Sequence, residues 1–211
     1  MIGPDAAELR VLGALIEKQR TTPDAYPLSL NALRLAANQS TGRDPVTEYE
    51  EGELRDAIAR LVRRGWARLA SGPGSRAVKY RQLLDEAIAL DGAEISLLAL
   101  LMLRGAQTPG ELRARSERLH DFSSVVEVDE CLEALASRQL AVRFERRPGQ
   151  KEARWGLDGP FLGEVAEEAA DDQRATEQAR HDEGLDARVA HLERELDELR
   201  AVVAQLRELV E

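Results

Sequence analysis

Leu54, Ile58, Leu61 and Trp66 are answered, at one constant spacing along the chain, by Val128, Leu132, Leu135 and Leu140. The first three of each set step at helical spacing, and the fourth lies beyond the end of that helix. An apolar pattern that returns with the same internal steps means one supersecondary unit built twice.

The signals around each copy recur in the same order. Leu9, Leu12, Leu15 and Ile16, widened by Val11, predict a helix over 6–19, which Thr21-Thr22-Pro23-Asp24 breaks. Ser29 is a candidate N-cap for a second helix to about Asn38, with Leu30, Leu33 and Leu35 or Ala37 inward. Gly42 and Pro45 make 40–47 a loop. A third helix is expected over 50–64, burying Leu54, Ile58, Leu61 and Val62, acidic in its first turn and ending at Arg63-Arg64 and Gly65. The runs 66–70 and 77–82 flank a Gly-Pro-Gly turn and read as a hairpin.

The second copy opens with an apolar helix over 94–104. Thr108-Pro109-Gly110-Glu111 then has the form of a capping box with proline at the first helical position. A third helix over 126–138 would bury Val128, Leu132 and Leu135, and a second hairpin joins 140–146 to 151–157. Three helices and a hairpin, twice, is the order of the winged helix-turn-helix. The expected class is mainly α with small β-hairpins (α+β): tandem winged helix-turn-helix domains at 1–84 and 85–159.

Beyond an acidic linker, 160–184, Leu185, Val189, Leu192, Leu196, Leu199, Val203, Leu206 and Val210 alternate steps of four and three. Leucine holds every d position, and valine most a positions, which favours a parallel two-stranded coiled coil over 185–211. In register, Arg188 would face Glu193 and Glu195 would face Arg200, each pair opposite in sign. The expectation is a homodimer. The competing reading is a helix folded back onto its own domains.

The blocks Glu17-Lys18-Gln19, Thr22-Pro23-Asp24, Tyr26-Pro27-Leu28-Ser29-Leu30-Asn31, Asn38-Gln39 and Arg43-Asp44-Pro45-Val46 resemble the YceH-like family of uncharacterised bacterial proteins. So do the run Arg104-Gly105-Ala106-Gln107-Thr108-Pro109-Gly110-Glu111-Leu112-Arg113 and Gly149-Gln150-Lys151-Glu152 with Arg154. The likeness spans roughly residues 8–157. It implies two tandem winged-helix domains, often followed by a coil, and brings no activity with it. Gly156 stands where that pattern leads one to expect a histidine before Leu157.

The formal charge of −10 looks hostile to nucleic acid, but it is unevenly spread. Residues 1–84 carry +3, 85–159 carry −4, and 160–211 carry −9. A single cysteine, Cys131, excludes an internal disulfide framework and fits a reducing cytoplasm. The longest apolar run, 95–103, is too short to span a bilayer, and Asp5 and Glu8 do not suit a signal peptide. Aromatics at 4% disfavour a base-stacking single-strand binder.

Little points to catalysis. His120, His181 and His191 are scattered, Cys131 sits beside Leu132 on an amphipathic helix, and Gly72-Pro73-Gly74 lacks the helix and Lys-Ser/Thr of a phosphate loop. No enzyme, cofactor or metal is expected.

The third helices, which read the major groove in this architecture, begin here with Glu48, Glu50, Glu51, Glu53 and Asp56, and with Glu127, Asp129, Glu130 and Glu133. Such carboxylates repel phosphates. Positive charge gathers instead at Arg34, Arg43, Arg63, Arg64, Arg68, Arg76, Lys79 and Arg81, and again at Arg143, Arg146, Arg147, Lys151 and Arg154. These would let the wings straddle the phosphates of duplex DNA, or they serve solubility and helix dipoles. The alternative is a protein partner. Tandem winged helices with a dimerising coil resemble, in architecture, the accessory subunits of chromosome-condensing complexes. Asn31, Asn38, Gln39, Arg43 and Asp44 would then form a recognition surface, or simply cap and turn the chain.

Overall fold

The computed structural model of the chain describes residues 3–70, 78–146 and 152–162. Asp5 accepts from the Glu8 amide at 2.8 Å while its own amide donates to Glu8, a reciprocal cap that starts α1 (Ala6–Thr21). A single 3-10 turn, Pro23–Ala25, leads to the two-residue strand β1 (Leu28–Ser29). Ser29 is the N-cap of α2 (Leu30–Ala37), accepting from the Ala32 amide. The loop to α3 (Glu51–Arg63) is closed at its base by Asn38, whose side-chain amide both donates to and accepts from the Tyr49 backbone at 2.9 Å. Gly65, at φ +75°, takes the left-handed turn that ends α3 and releases Trp66 into the core.

β2 (Ala67–Leu69) and β3 (Lys79–Gln82) form an antiparallel pair, with β1 on the far side of β3. A short helix, α4 (Leu84–Ala87), then connects to α5 (Gly92–Arg104). The second copy follows in the same order with α6 (Pro109–Ser116), α7 (Val125–Ser137), β4 (Ala141–Arg143) and β5 (Trp155–Leu157). The capping box at Thr108 and Glu111 forms as its spacing predicts. The correspondence extends to the sheet: Leu28 pairs with Tyr80 in the first copy, and Gln107 bridges Trp155 in the second. The chain is thus α+β, helices with two small antiparallel sheets.

The two copies share one core. Every residue from Ile95 to Leu103 is buried, as a helix apolar on all faces requires. α5 packs against α1, where Gly13 admits it: a Cβ on Gly13 would lie 2.9 Å from Leu103 Cγ and 3.1 Å from Met102 Cβ. Val11, Leu12, Leu54, Ile58, Leu98, Leu101, Val128 and Leu132 belong to one apolar cluster. One alternative of the apolar reading is decided and one detail changes. Ala37, not Leu35, faces inward, leaving Leu35 61% exposed, and Val62 is only partly buried at the margin of the core. No helix among the described residues is long and apolar enough to cross a membrane.

Candidate functional site

Strand alternation sorts the first hairpin into two faces. Ala67 lies opposite Gln82 and Leu69 opposite Tyr80, while Arg68 lies opposite Arg81. Side chains on a strand alternate, so Arg68 and Arg81 share a face with Lys79. The other face is tied to the fold. Gln82 is fully buried, donating to Gln19 at 2.7 Å and accepting from the Leu84 amide, and Tyr26 accepts from the Gln82 amide. Like charges directly across an antiparallel pair are destabilising. Arg81 relieves this by turning to Glu86 at 3.0 Å. Arg68 is exposed, and neither it nor Lys79 makes an ion pair among the described residues. Arg63, exposed on the last turn of α3, likewise makes none. Arg34 is half-buried on the last turn of α2.

Other arginines serve the fold. Arg64 donates to Glu8 at 3.0 Å and to the Gly3 carbonyl at 2.9 Å, and stacks over Trp66. Arg60 joins the same carboxylate of Glu8. Arg43 is the clearest correction: its side chain is completely buried, a placement incompatible with a phosphate contact. The guanidinium grips Glu17 through two hydrogen bonds, 3.1 and 2.6 Å, and donates also to Gln39 and to the carbonyls of Ala36 and Gly42. Asn38 and Gln39 are engaged in these internal contacts, which leaves Asn31 and Asp44 as the exposed members of that group.

The second hairpin differs. Arg143 lies beside the Trp155 ring and 3.6 Å from Glu133; Arg154 donates to the Ala106 carbonyl and pairs with Glu111. Arg146 is exposed without an ion pair among the described residues. The outward face carries Val142 opposite Gly156, with Phe144 next along the strand. Phe144 packs over Gly156, so closely that a Cβ there would meet its ring unless Phe144 moved. Arg76, Arg147 and Lys151 lie outside the described residues, as do His181, His191 and the whole heptad segment from Leu185 to Val210.

The third helices start as the sequence reads. Glu48, Glu50, Glu51, Glu53 and Asp56 are all exposed, and Glu50 and Glu53 cap α3 reciprocally. Glu127 accepts from the Ser123 hydroxyl and amide, both at 2.7 Å, and these bonds hold its carboxyl below its ordinary range. Burial, with Asp91, Glu94 and Glu127 nearby, pushes the Cys131 thiol up to about 12, the reverse of an activated nucleophile. His120 stacks edge-on against Phe122. Among the described residues no group of three or more His, Cys, Asp or Glu side chains could hold a metal ion.

Sequence reasoning passed over two arginines, Arg104 and Arg115. Arg104 ends α5 with its guanidinium beside Gly42, and Arg115 reaches Gln107 Oε1 at 2.6 Å. For Arg104 the signal was present in the run that carries the family resemblance, where it precedes Gly105 as Arg43 follows Gly42; Arg115 lies beyond that run and had none.

A family model described as "Protein of unknown function, DUF480" matches residues 5–150. The "UPF0502 protein" of Citrobacter koseri is 43% identical over 208 residues, 93% of this chain and 95% of the relative. The "UPF0502 protein YceH" of Salmonella newport and that of Salmonella enteritidis match with the same identity and coverage.

Proposed function

The chain belongs to the DUF480 family, the YceH-like proteins, and we propose that it is a non-enzymatic, dimeric, tandem winged-helix protein that holds duplex DNA by its phosphates through the first wing. The observation that carries this reading is the basic outward face of the first hairpin. Among the described residues Arg68 and Lys79 lie there without acidic partners, and Arg63 at the adjoining helix end makes no ion pair either. Arg81 is answered by Glu86, which leaves Arg68 and Lys79 as the cations of this face that an external phosphate would meet. The acidic starts of α3 and α7 argue for backbone contact rather than base reading by either helix. In this reading the domains are 1–84 and 85–159, and the heptads of 185–211 pair two chains, which would double the phosphate contacts.

The test is a salt series. The wild type should bind a random-sequence duplex with log K falling linearly against log salt. Replacing Arg63, Arg68 and Lys79 together by glutamine should flatten that slope by about 2.7, at roughly 0.9 for each lost phosphate contact. Absence of binding at low salt refutes DNA contact. For dimerisation, light scattering on the full chain should show a dimer that Leu192→Asp with Leu199→Asp converts to a monomer.

One observation favours a protein partner for the second unit. Where the first wing is basic, the second shows Val142 and a Phe144 that is 39% exposed, and α7 opens with exposed Val125 and Val126. The two units then divide the labour, phosphate on the first and an apolar partner surface on the second.

A further inference from the structure

The two copies also meet through a polar seam that the wing reading does not use. The Asp44 amide donates to the Leu103 carbonyl at 2.9 Å, tying the loop between α2 and α3 to the end of α5. Gly42, at φ +75°, lets that loop pass close to Arg104: a Cβ on Gly42 would lie 3.6 Å from Arg104 Nη2. From the other side come Arg115, 3.6 Å from Glu111, and Arg154, 3.3 Å from the same carboxylate. Glu17 is already committed to Arg43, with Lys18 at 3.4 Å.

The seam is therefore short of negative charge. Among the described residues, Arg43 and Arg115 lie near Arg104 with Asp44 and Glu17 as the nearby carboxylates, and Glu17 is already taken by Arg43. Arg104 is the cation left over: half-buried, it makes no hydrogen bond and no ion pair among the described residues. Burial, then Arg115 and Arg43, disfavour its charge, and Asp44 and Glu17 offset this only in part. A guanidinium presents a rigid fork of donors that matches an oxyanion, and an oxyanion bound here would answer the desolvation and the like-charge repulsion together.

We propose that Arg104 and Arg115 form a binding site for a phosphate group at the seam between the two copies, beside the Gly42 turn of the α2–α3 loop. Occupancy would fasten the α2–α3 loop of the first copy to α5 and α6 of the second. The phosphate belongs either to a small phosphorylated molecule or to a nucleic-acid backbone. The site is separate from the wing and stands whether or not the wing binds DNA.

Inorganic phosphate is the probe, titrated by calorimetry into the full chain at ionic strength held constant with chloride. Saturable binding is expected, and Arg104→Gln should weaken it at least tenfold. Arg104→Lys, which keeps the charge and loses the fork, should fall between the two. Without phosphate, Arg104→Gln should melt no lower than the wild type, because it removes an uncompensated cation; a side chain needed only for folding would melt lower. The variant lacking Arg63, Arg68 and Lys79 charges should bind phosphate as the wild type does. Competition by a short duplex then assigns the phosphate to nucleic acid, and lack of competition assigns it to a small molecule. No saturable heat up to about 10 mM phosphate, tenfold beyond a millimolar Kd, overturns the proposal. So does an affinity unchanged in Arg104→Gln.

Discussion

Replacing Arg43 by methionine keeps an unbranched chain in the same space and removes the six hydrogen bonds that the guanidinium makes. The Ala36 and Gly42 carbonyls lose their side-chain donor, and Glu17 keeps only Lys18, at 3.4 Å. Breaking a buried ion pair by removing one partner costs about 3–5 kcal/mol, because the remaining charge is left buried. Arg43 has no exposed side-chain surface, but Glu17 retains 17%, so water and Lys18 relieve part of the loss. The lower end, about 3 kcal/mol, is expected. For a chain of this size that is a fall in Tm of about 6–12 °C.

The loss should depend on pH with a definite sign. Burial alone would raise the Glu17 carboxyl, but the hydrogen bonds and charge of Arg43, with Lys18, hold it below its ordinary value of 4.5. A depressed carboxyl contributes stability that is present above the unfolded value and lost as pH falls through the folded one. The gap between wild type and Arg43→Met should therefore be widest near neutrality and narrow below pH 4.5. Urea unfolding at pH 7 and pH 4 measures it. Glu17→Gln and the double variant complete a cycle, whose coupling should fall within about 0.5–3 kcal/mol. A Tm loss under about 3 °C, or a gap that does not change with pH, would refute the reasoning.

Three further outcomes follow from local geometry. Gly13→Ala gains about 1 kcal/mol of helix propensity, but its methyl group would lie 2.9 Å from Leu103 Cγ. Overpacking of about 1–3 kcal/mol should win, so the urea midpoint falls; a rise would mean that α1 and α5 sit further apart. Thr108→Ala removes the acceptor for the Glu111 amide and should cost about 1 kcal/mol, read as a drop in Tm of about 2–4 °C. Cys131, with its thiol held near 12, should react with iodoacetamide at pH 8 roughly a thousandfold more slowly than an ordinary thiol. It should regain the ordinary rate in urea, and equal rates in both conditions would contradict the burial.

The elements that the sequence revealed are those whose periodicity matches a single burial rule. Leu54, Ile58 and Leu61 face one core from one side, so their spacing reports the helix and its inward stripe together. β1 escaped because two residues cannot display alternation, and it exists only because Tyr80 offers Leu28 a partner. The sharing of one core by both copies was recorded less directly, in the unbroken apolar run of α5 and in Gly13 inside α1. A helix buried on every face needs a neighbour outside its own repeat, and a glycine inside a helix marks the place where that neighbour comes close.

The candidate site was harder to read for a specific reason. Arginine is an ambiguous letter: its long stem and five donors suit a buried carbonyl cage as well as a phosphate. Arg43, Arg64 and Arg68 look alike in a composition count. What separates them is whether an acceptor arrives from elsewhere in the chain. Glu17 reaches Arg43 from the end of α1, and Glu8 reaches Arg64 from its start. No carboxylate among the described residues reaches Arg68 or Arg104. Those acceptors are set by tertiary packing, which no local spacing encodes. A net charge over 1–84 therefore overstates the surface available to an anion. The cations that matter are the ones the fold leaves unanswered, and among the described residues these include Arg68 and Lys79 on the first hairpin and Arg104 at the seam. Their separation makes the two phosphate readings independent, since changing the Arg68 face should leave the seam intact, and changing Arg104 should leave the wing intact.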